Sequence, residues 1–310
     1  MRSAISILFL SGFAFLLSCQ SDYDFGIDTS SQIIVNGLFQ PDSNWIIGIY
    51  KTPNSLWDYK FLPVDNAEVS ISVGNFKFPL IQKSEGLITF YTSESEDVPS
   101  LINQNFTLEA HKDEQLISAT SYIPAMPQYS WVVEEYKVER FDMDPSDSYF
   151  DLLIDVLISI SFDFEDDQNR FFNIVARYRP NSIYSQMYSD SVYDNIKTTI
   201  EFPSAFSSIR ISDGDFVDLR TQSDATKLLV KVQGSLRHTK VDHCSIYLIV
   251  SSITPDYFSY QKKTLDQYIA SQDLFSEPVQ IPGNIEGGLG IFSGINSKVE
   301  LIEIKPSVFK

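Results

Sequence analysis

Cysteine is nearly absent: the 310-residue chain has two, Cys19 and Cys244. At most one disulfide can form, so the fold must rest on a hydrophobic core, and a chain of this length can bury one. Only three histidines occur, His111, His238 and His243. His111 closes a predicted strand ahead of Lys112-Asp113-Glu114. His238 and His243 flank Thr239-Lys240-Val241-Asp242, which reads as a hairpin connection. No other Cys or His clusters with that pair, so two solvated histidines describe it better than a zinc site. No Gly-X-Ser-X-Gly elbow is present, which leaves nucleophilic hydrolysis without a motif. Positive charge is also in short supply: 23 Lys and Arg face 41 Asp and Glu, for a formal charge of −18. Such a chain repels phosphate backbones and anionic headgroups. That excludes nucleic acid as a partner and charge as the source of membrane attachment. The apolar stretch from Ile5 to Leu17 is about thirteen residues, short of the roughly 20 that span a bilayer as a helix. No catalytic residue, metal or cofactor is expected.

What the N-terminus has is a short basic start, Met1-Arg2-Ser3, then that apolar stretch, then Leu16-Leu17-Ser18-Cys19. The length suits a cleaved leader better than an anchor. The Leu-Leu-Ser-Cys box resembles the lipobox of bacterial lipoproteins, which implies cleavage after Ser18 and lipidation of Cys19. Residues 1–18 are then a signal peptide, and 19–31 a polar tether. Two or three acyl chains, at about 0.8 kcal/mol per buried methylene, hold a protein on a membrane where one barely does. Asp22 and Asp24 resemble the acidic surface-export signal of Bacteroidota lipoproteins; a solvated tether with chance acids accounts for them equally well.

The chain is 43% hydrophobic, 21% charged and 14% aromatic, with 23 Phe and 16 Tyr. It is globular, and its composition favours strands. Ile33 to Phe39 and Trp45 to Tyr50 read as strands around the turn Gln40-Pro41-Asp42-Ser43-Asn44. Ala67 to Val73 alternates polar and apolar and stops at Gly74-Asn75. With the segments that follow, seven or eight short strands precede Pro124, which predicts a β-sandwich of immunoglobulin or transthyretin type over 32–124. Pro124-Ala125-Met126-Pro127 predicts a stiff, extended linker.

Residues 125–310 predict a second β-rich domain. Tyr149 to Phe164 is read as a strand, although its first half also suits a helix. Phe171 to Tyr178, Lys227 to Gln233 and Cys244 to Ser251 read as further strands, with Cys244 a small buried residue. One helix is predicted near 255–270: Thr254 caps it, Pro255 fits the first turn and Asp256 suits the positive end of the dipole. Its apolar stripe is Phe258, Leu265 and Ile269, beside Tyr257, Tyr260 and Tyr268. Gly287-Gly288-Leu289-Gly290 lacks the lysine and the strand-to-helix setting of a phosphate loop; it predicts tight backbone packing or a bulge.

Several of these segments together resemble one family. They are Ile34-Val35-Asn36-Gly37, Val64-Asp65-Asn66-Ala67-Glu68-Val69, the hairpin from Asn105 to Thr120 closed by Ile123-Pro124, and Tyr257 to Tyr268. Phe275-Ser276-Glu277-Pro278 and Asn284-Ile285-Glu286-Gly287-Gly288-Leu289-Gly290-Ile291-Phe292 complete the set. Over nearly the whole mature chain the sequence is similar to the Bacteroidota lipoprotein family named domain of unknown function 4249. The resemblance implies a lipid-anchored outer-membrane protein, often encoded beside TonB-dependent receptors, with no enzymatic activity and no established ligand.

Acidic loops are the stronger metal candidates: Asp142, Asp144 and Asp147; Asp163, Glu165, Asp166 and Asp167; Asp213, Asp215 and Asp218. None has the calcium-loop pattern of an EF-hand, and solvated turns are the simpler reading. For binding, the loop carrying Trp57, Tyr59 and Phe61 is a candidate aromatic platform. So are Tyr184, Tyr188 and Tyr193, in a long loop predicted from Pro180 to Thr199; core-covering aromatics are the alternative. The expected function is a non-enzymatic accessory or binding component of a TonB-dependent transporter complex. It would be held to the membrane through Cys19, on the cell surface. The alternative is a stand-alone surface glycan- or peptide-binding lipoprotein.

Overall fold

The computed structural model describes residues 31–52, 61–86, 88–93, 101–141, 150–164, 170–179, 197–201, 209–211, 215–221, 227–238, 244–273 and 275–304. The chain is mostly β, with one α-helix and a 3₁₀ turn, Leu219–Thr221, among these residues. The first strands are β1 (Ile33–Phe39), β2 (Ile46–Lys51), β3 (Leu62–Pro63), β4 (Glu68–Val73), β5 (Phe76–Glu85), β6 (Ile88–Ser93), β7 (Asn105–Lys112) and β8 (Gln115–Tyr122). There follow β9 (Gln128–Phe141), β10 (Phe150–Asp163), β11 (Phe171–Arg179), β12 (Lys197–Glu201), β13 (Ile209–Ile211) and β14 (Asp215–Asp218). β15 (Lys227–His238), β16 (Cys244–Ile253), helix α1 (Pro255–Ala270) and β17 (Leu289–Ile304) complete the order. One sheet runs β14-β11-β16-β17-β1-β2-β6-β5-β4-β7-β8, with β3 beside β2; the other runs β13-β12-β15-β10-β9.

Two hydrophobic cores form, and period-two alternation builds both. In the first, Val69, Ile71 and Val73 of β4 point inward opposite Ala110, Leu108 and Phe106 of β7, all buried. The expected β7–β8 hairpin is present. Trp45 is fully buried just ahead of β2, edge-on to Phe78 at 5.5 Å and Phe106 at 5.9 Å. In the second core, Val156, Ile158 and Ile160 of β10 pair with Val232, Val230 and Leu228 of β15. This alternation is why Phe150–Asp163 is strand rather than helix. Across the sandwich Phe162 meets Phe172 of β11 at 4.7 Å, and Ile246, Leu248 and Val250 of β16 fill the opposing layer.

The two cores share one strand. Leu289–Gly294 of β17 pair in parallel with Ile34–Phe39 of β1, and Ile295–Ile304 then pair antiparallel with β16. Ile285 and Phe292 belong to the first core and Ile302 to the second, so chain position alone does not separate the cores. The Gly-rich segment packs backbone on backbone, as its sequence predicts. Gly290 has φ +104, and a Cβ there would collide with the Val35 carbonyl oxygen; one at Gly294 would collide with that of Tyr122. The segment after β8 is pinned rather than free. Asn296 Nδ2 donates to the Pro124 carbonyl at 3.0 Å, and Ser252 Oγ to the Ala125 carbonyl at 3.0 Å.

Three local expectations change. β15 and β16, which a hairpin at His238 to Cys244 would pair, lie in different sheets and do not pair with each other; the connection itself lies outside the described residues. Lys197–Thr199, expected in a loop, are strand β12. Helix α1 begins as predicted, with Thr254 Oγ1 accepting from the Tyr257 N–H at 3.2 Å, but its stripe is covered unevenly. Phe258 meets Phe171 at 5.0 Å and Leu265 is half-buried, whereas Ile269 is 60% exposed. In the second half Gln267 Oε1 accepts from the Val279 N–H at 2.6 Å.

Candidate functional site

The period-two rule that builds the cores also builds a cleft between them. On β16 and β17, Ser252 and Asn296 face the linker; their neighbours Ser251, Ile253, Ile295 and Ser297 face the other way and line a cavity of about 300 Å³. Register supplies a polar row along its floor: Asn173 of β11 pairs with Ser251, and Ser251 with Ser297. The two serine hydroxyls are 2.8 Å apart. The β1–β2 turn forms the opposite wall, with Gln40, Ser43 and Asn44 between Leu38 and Ile46. Tyr257, at the start of α1, lines the cavity as well. Its ring meets Phe216 at 6.1 Å, and burial pushes its phenol above the ordinary tyrosine range. Among the described residues, none of the lining side chains carries a charge at neutral pH. The site offers amide and hydroxyl groups beside aliphatic and aromatic side chains. It can hold an uncharged polar molecule.

The β16–β17 side of the cleft is anchored. Thr254, buried at the end of β16, shares a 2.7 Å hydroxyl contact with Ser293 of β17. A second, shallower groove of about 510 Å³ lies along α1, lined by Phe258, Ser259, Lys262 and Lys263 against Gln280 and Pro282. Lys263 there is tied to Asp266 at 3.0 Å.

Of the residues picked out from the sequence, Phe61 is 59% exposed ahead of β3 and does not line the cleft. Trp57, Tyr59, Tyr184, Tyr188 and Tyr193 lie outside the described residues, as do Cys19 and His243. His111 is exposed at the end of β7. Most of the acidic loops also fall outside, but Asp218 is seen: Arg220 grips it with two bonds, Nε to Oδ1 at 3.0 Å and Nη2 to Oδ2 at 2.9 Å. That guanidinium holds the Asp218 carboxyl below the usual carboxylate range. Among the described residues no group of three or more His, Cys, Asp or Glu could hold a metal ion. None of their helices is long and apolar enough to cross a membrane. The cleft residues were missed because Gln40, Asn44, Asn173, Ser251 and Ser297 are ordinary polar residues on outward strand positions and a turn. Only the strand register brings them together, and no motif announces it.

A family model described as domain of unknown function (DUF4249) matches residues 20–300. The chain belongs to the DUF4249 family. The family segment Asn284 to Phe292 is the one that carries the Gly-rich seam onto β1, so that stretch of the pattern encodes the joint between the cores. No curated protein matches the chain. Among solved structures it is similar to trypsin-activated alpha-2-macroglobulin from Escherichia coli. There the identity is 13% and the TM-score 0.23, over 74% of this chain and 15% of that one. It is also similar to CfaE, the adhesive subunit of CFA/I fimbria of enterotoxigenic Escherichia coli. There the identity is 9% and the TM-score 0.20, over 89% of this chain and 87% of that one. At such scores neither likeness carries an argument about fold or function.

Proposed function

We propose that this DUF4249 protein is a non-enzymatic lipoprotein of the outer membrane, held by lipid on Cys19, that serves as an accessory or binding component of a TonB-dependent transporter complex. The observation that carries the binding role is the uncharged polar cleft between the two cores. Its walls come from β1–β2 on one side and from β11, β16 and β17 on the other, and β17 makes them one body. A pocket with pre-formed walls and convergent polar groups is the ordinary setting for a small ligand. Contact with a partner is supported by apolar side chains turned to solvent around the end of α1: Tyr268 is 65% exposed and Phe275 94%. Lipid attachment is supported by the Leu-Leu-Ser-Cys box, and by a family match that begins immediately after Cys19.

Extraction of the tagged protein from its native membrane in mild detergent tests the assembly. Recovery of a TonB-dependent transporter in stoichiometric amount supports the reading. Recovery of the protein alone, with the tagged pool fully accounted for, overturns the accessory role. It would favour the second reading, a stand-alone surface protein that binds glycan or peptide through the same cleft.

A further inference from the structure

We infer that the cleft between the cores takes a neutral, hydroxyl-rich ligand, a sugar unit of an uncharged glycan, and that Asn44 and Asn173 grip it from opposite walls. The inference rests on reading the chain as a binding protein and adds the chemistry of what it binds.

Three features select that class. First, both walls present carboxamides: Gln40 and Asn44 on the turn, Asn173 on the sheet face. Among the described residues none of these three side chains makes a protein hydrogen bond. A carboxamide donates and accepts in one plane, which matches a pair of neighbouring hydroxyls. Second, the Ser251 and Ser297 hydroxyls pair with each other at 2.8 Å, and each keeps capacity for a further bond. Third, Ile295 and the Tyr257 ring, both half-buried, give an apolar bed for the C–H face of a sugar. Among the described residues no charged side chain lines the cleft to partner an anionic or cationic ligand, and the −18 chain disfavours an acidic sugar further. A peptide held through its backbone uses an unpaired strand edge; β16 and β17 are paired to each other along this floor. At about 300 Å³ the cavity is at the small end of ligand pockets, suited to a single unit of a longer chain.

The test titrates the full chain in detergent with maltotriose, cellotriose, xylotriose and mannotriose. Trigalacturonic acid and trialanine serve as the charged and peptide comparators. Saturation-transfer NMR detects contact, and calorimetry gives affinity. At least one neutral trisaccharide is expected to bind saturably. Asn44→Ala and Asn173→Ala, each with unchanged circular dichroism, should each weaken it about fivefold, the worth of one hydrogen bond. Asn44 sits exposed on a turn, so its loss leaves the core intact and keeps that arm readable. Binding by none of the four sugars overturns the inference. So does preference for trigalacturonate or trialanine, or an affinity that neither variant changes. Transporter recovery is a separate measurement: a recovered transporter with no sugar bound would sink the ligand class and leave the accessory role standing.

Discussion

The side-chain amide of Asn284 makes two hydrogen bonds to one residue: Oδ1 accepts from the Phe292 N–H at 2.9 Å, and Nδ2 donates to the Phe292 carbonyl at 2.8 Å. Phe292 is fully buried and stacks on Phe39 at 4.6 Å. β17 has β1 on one side at this point, and Asn284 acts as a one-residue strand partner on the other. Asn284→Ala leaves both backbone groups without that partner. It should lower stability by about 1–3 kcal/mol, the cost of unsatisfied buried groups, read as a lower urea midpoint with unchanged slope. Asn284→Asp keeps an acceptor but loses the donor to the carbonyl, so at neutral pH it should cost at least as much. An unchanged midpoint in both variants would remove Asn284 from the joint.

Two glycines separate conformational strain from collision. Gly74 has φ +57 and open space around it. Gly74→Ala should therefore cost only the left-handed penalty, about 1–2 kcal/mol. Gly290 has φ +104, and its missing Cβ would run into the Val35 carbonyl oxygen, so β1 and β17 cannot stay paired once it is added. Gly290→Ala should cost more than about 4 kcal/mol, or prevent the folded protein from accumulating. Thermal melting of the two variants side by side decides it. Equal, small losses would mean that the β1–β17 pairing tolerates separation.

The edge of the second sandwich is closed by Tyr129, Lys298 and Glu300. Lys298 lies 2.8 Å from Glu300, and the Tyr129 hydroxyl donates to Glu300 at 3.3 Å. Lys298 holds the Glu300 carboxyl below the usual carboxylate range, with Tyr129 and Trp131 adding bonds after it. A carboxyl whose pKa is lower folded than unfolded stabilises fully above its unfolded value, about 4.3, and loses that contribution as pH falls through the folded value. Burial, and then the Glu300 charge, raise the Tyr129 phenol. Its neutral form is thus favoured in the fold, and stability falls as pH rises above the ordinary tyrosine value. Glu300→Gln should flatten the acid side of a stability–pH profile, between about pH 5 and 3. A parallel, unflattened profile would place the acid sensitivity elsewhere.

Alternation made β4, β10 and β16 readable in advance, because a strand with one buried face writes its period into the sequence. Thr254-Pro255-Asp256 did the same for the start of α1. Partner choice left no such trace. Nothing in Leu289 to Ile304 says that its first residues will seek β1 and its last ones β16, since both halves read only as strand and neither names a partner. The cleft depends on that choice, which is why Asn173 and Ser297 could not be connected beforehand. Of the aromatic candidates, Phe61 lies among the described residues, and it does not line the cleft. Phe61 is exposed, but exposure in a loop gives no direction, whereas a strand register does.

Cys19→Ala tests the anchor without touching the fold. The first core begins at Ile33 and the family match at residue 20, so the variant is expected to leave the core as it is. Attachment depends on it entirely if the lipobox resemblance holds, because a chain of formal charge −18 has no electrostatic hold on anionic lipid. Each acyl chain contributes about 0.8 kcal/mol per buried methylene, and losing all of them takes the protein below the threshold for stable binding. The variant should move from the membrane fraction to the soluble fraction and melt at the same temperature as the lipid-bearing chain. Cys244→Ala, at the start of β16, should stay with the membrane, which separates loss of lipid from loss of a thiol. If Cys19→Ala still pelleted with membranes after a high-salt wash, another part of the chain would have to hold it there, and the lipid anchor would be discarded.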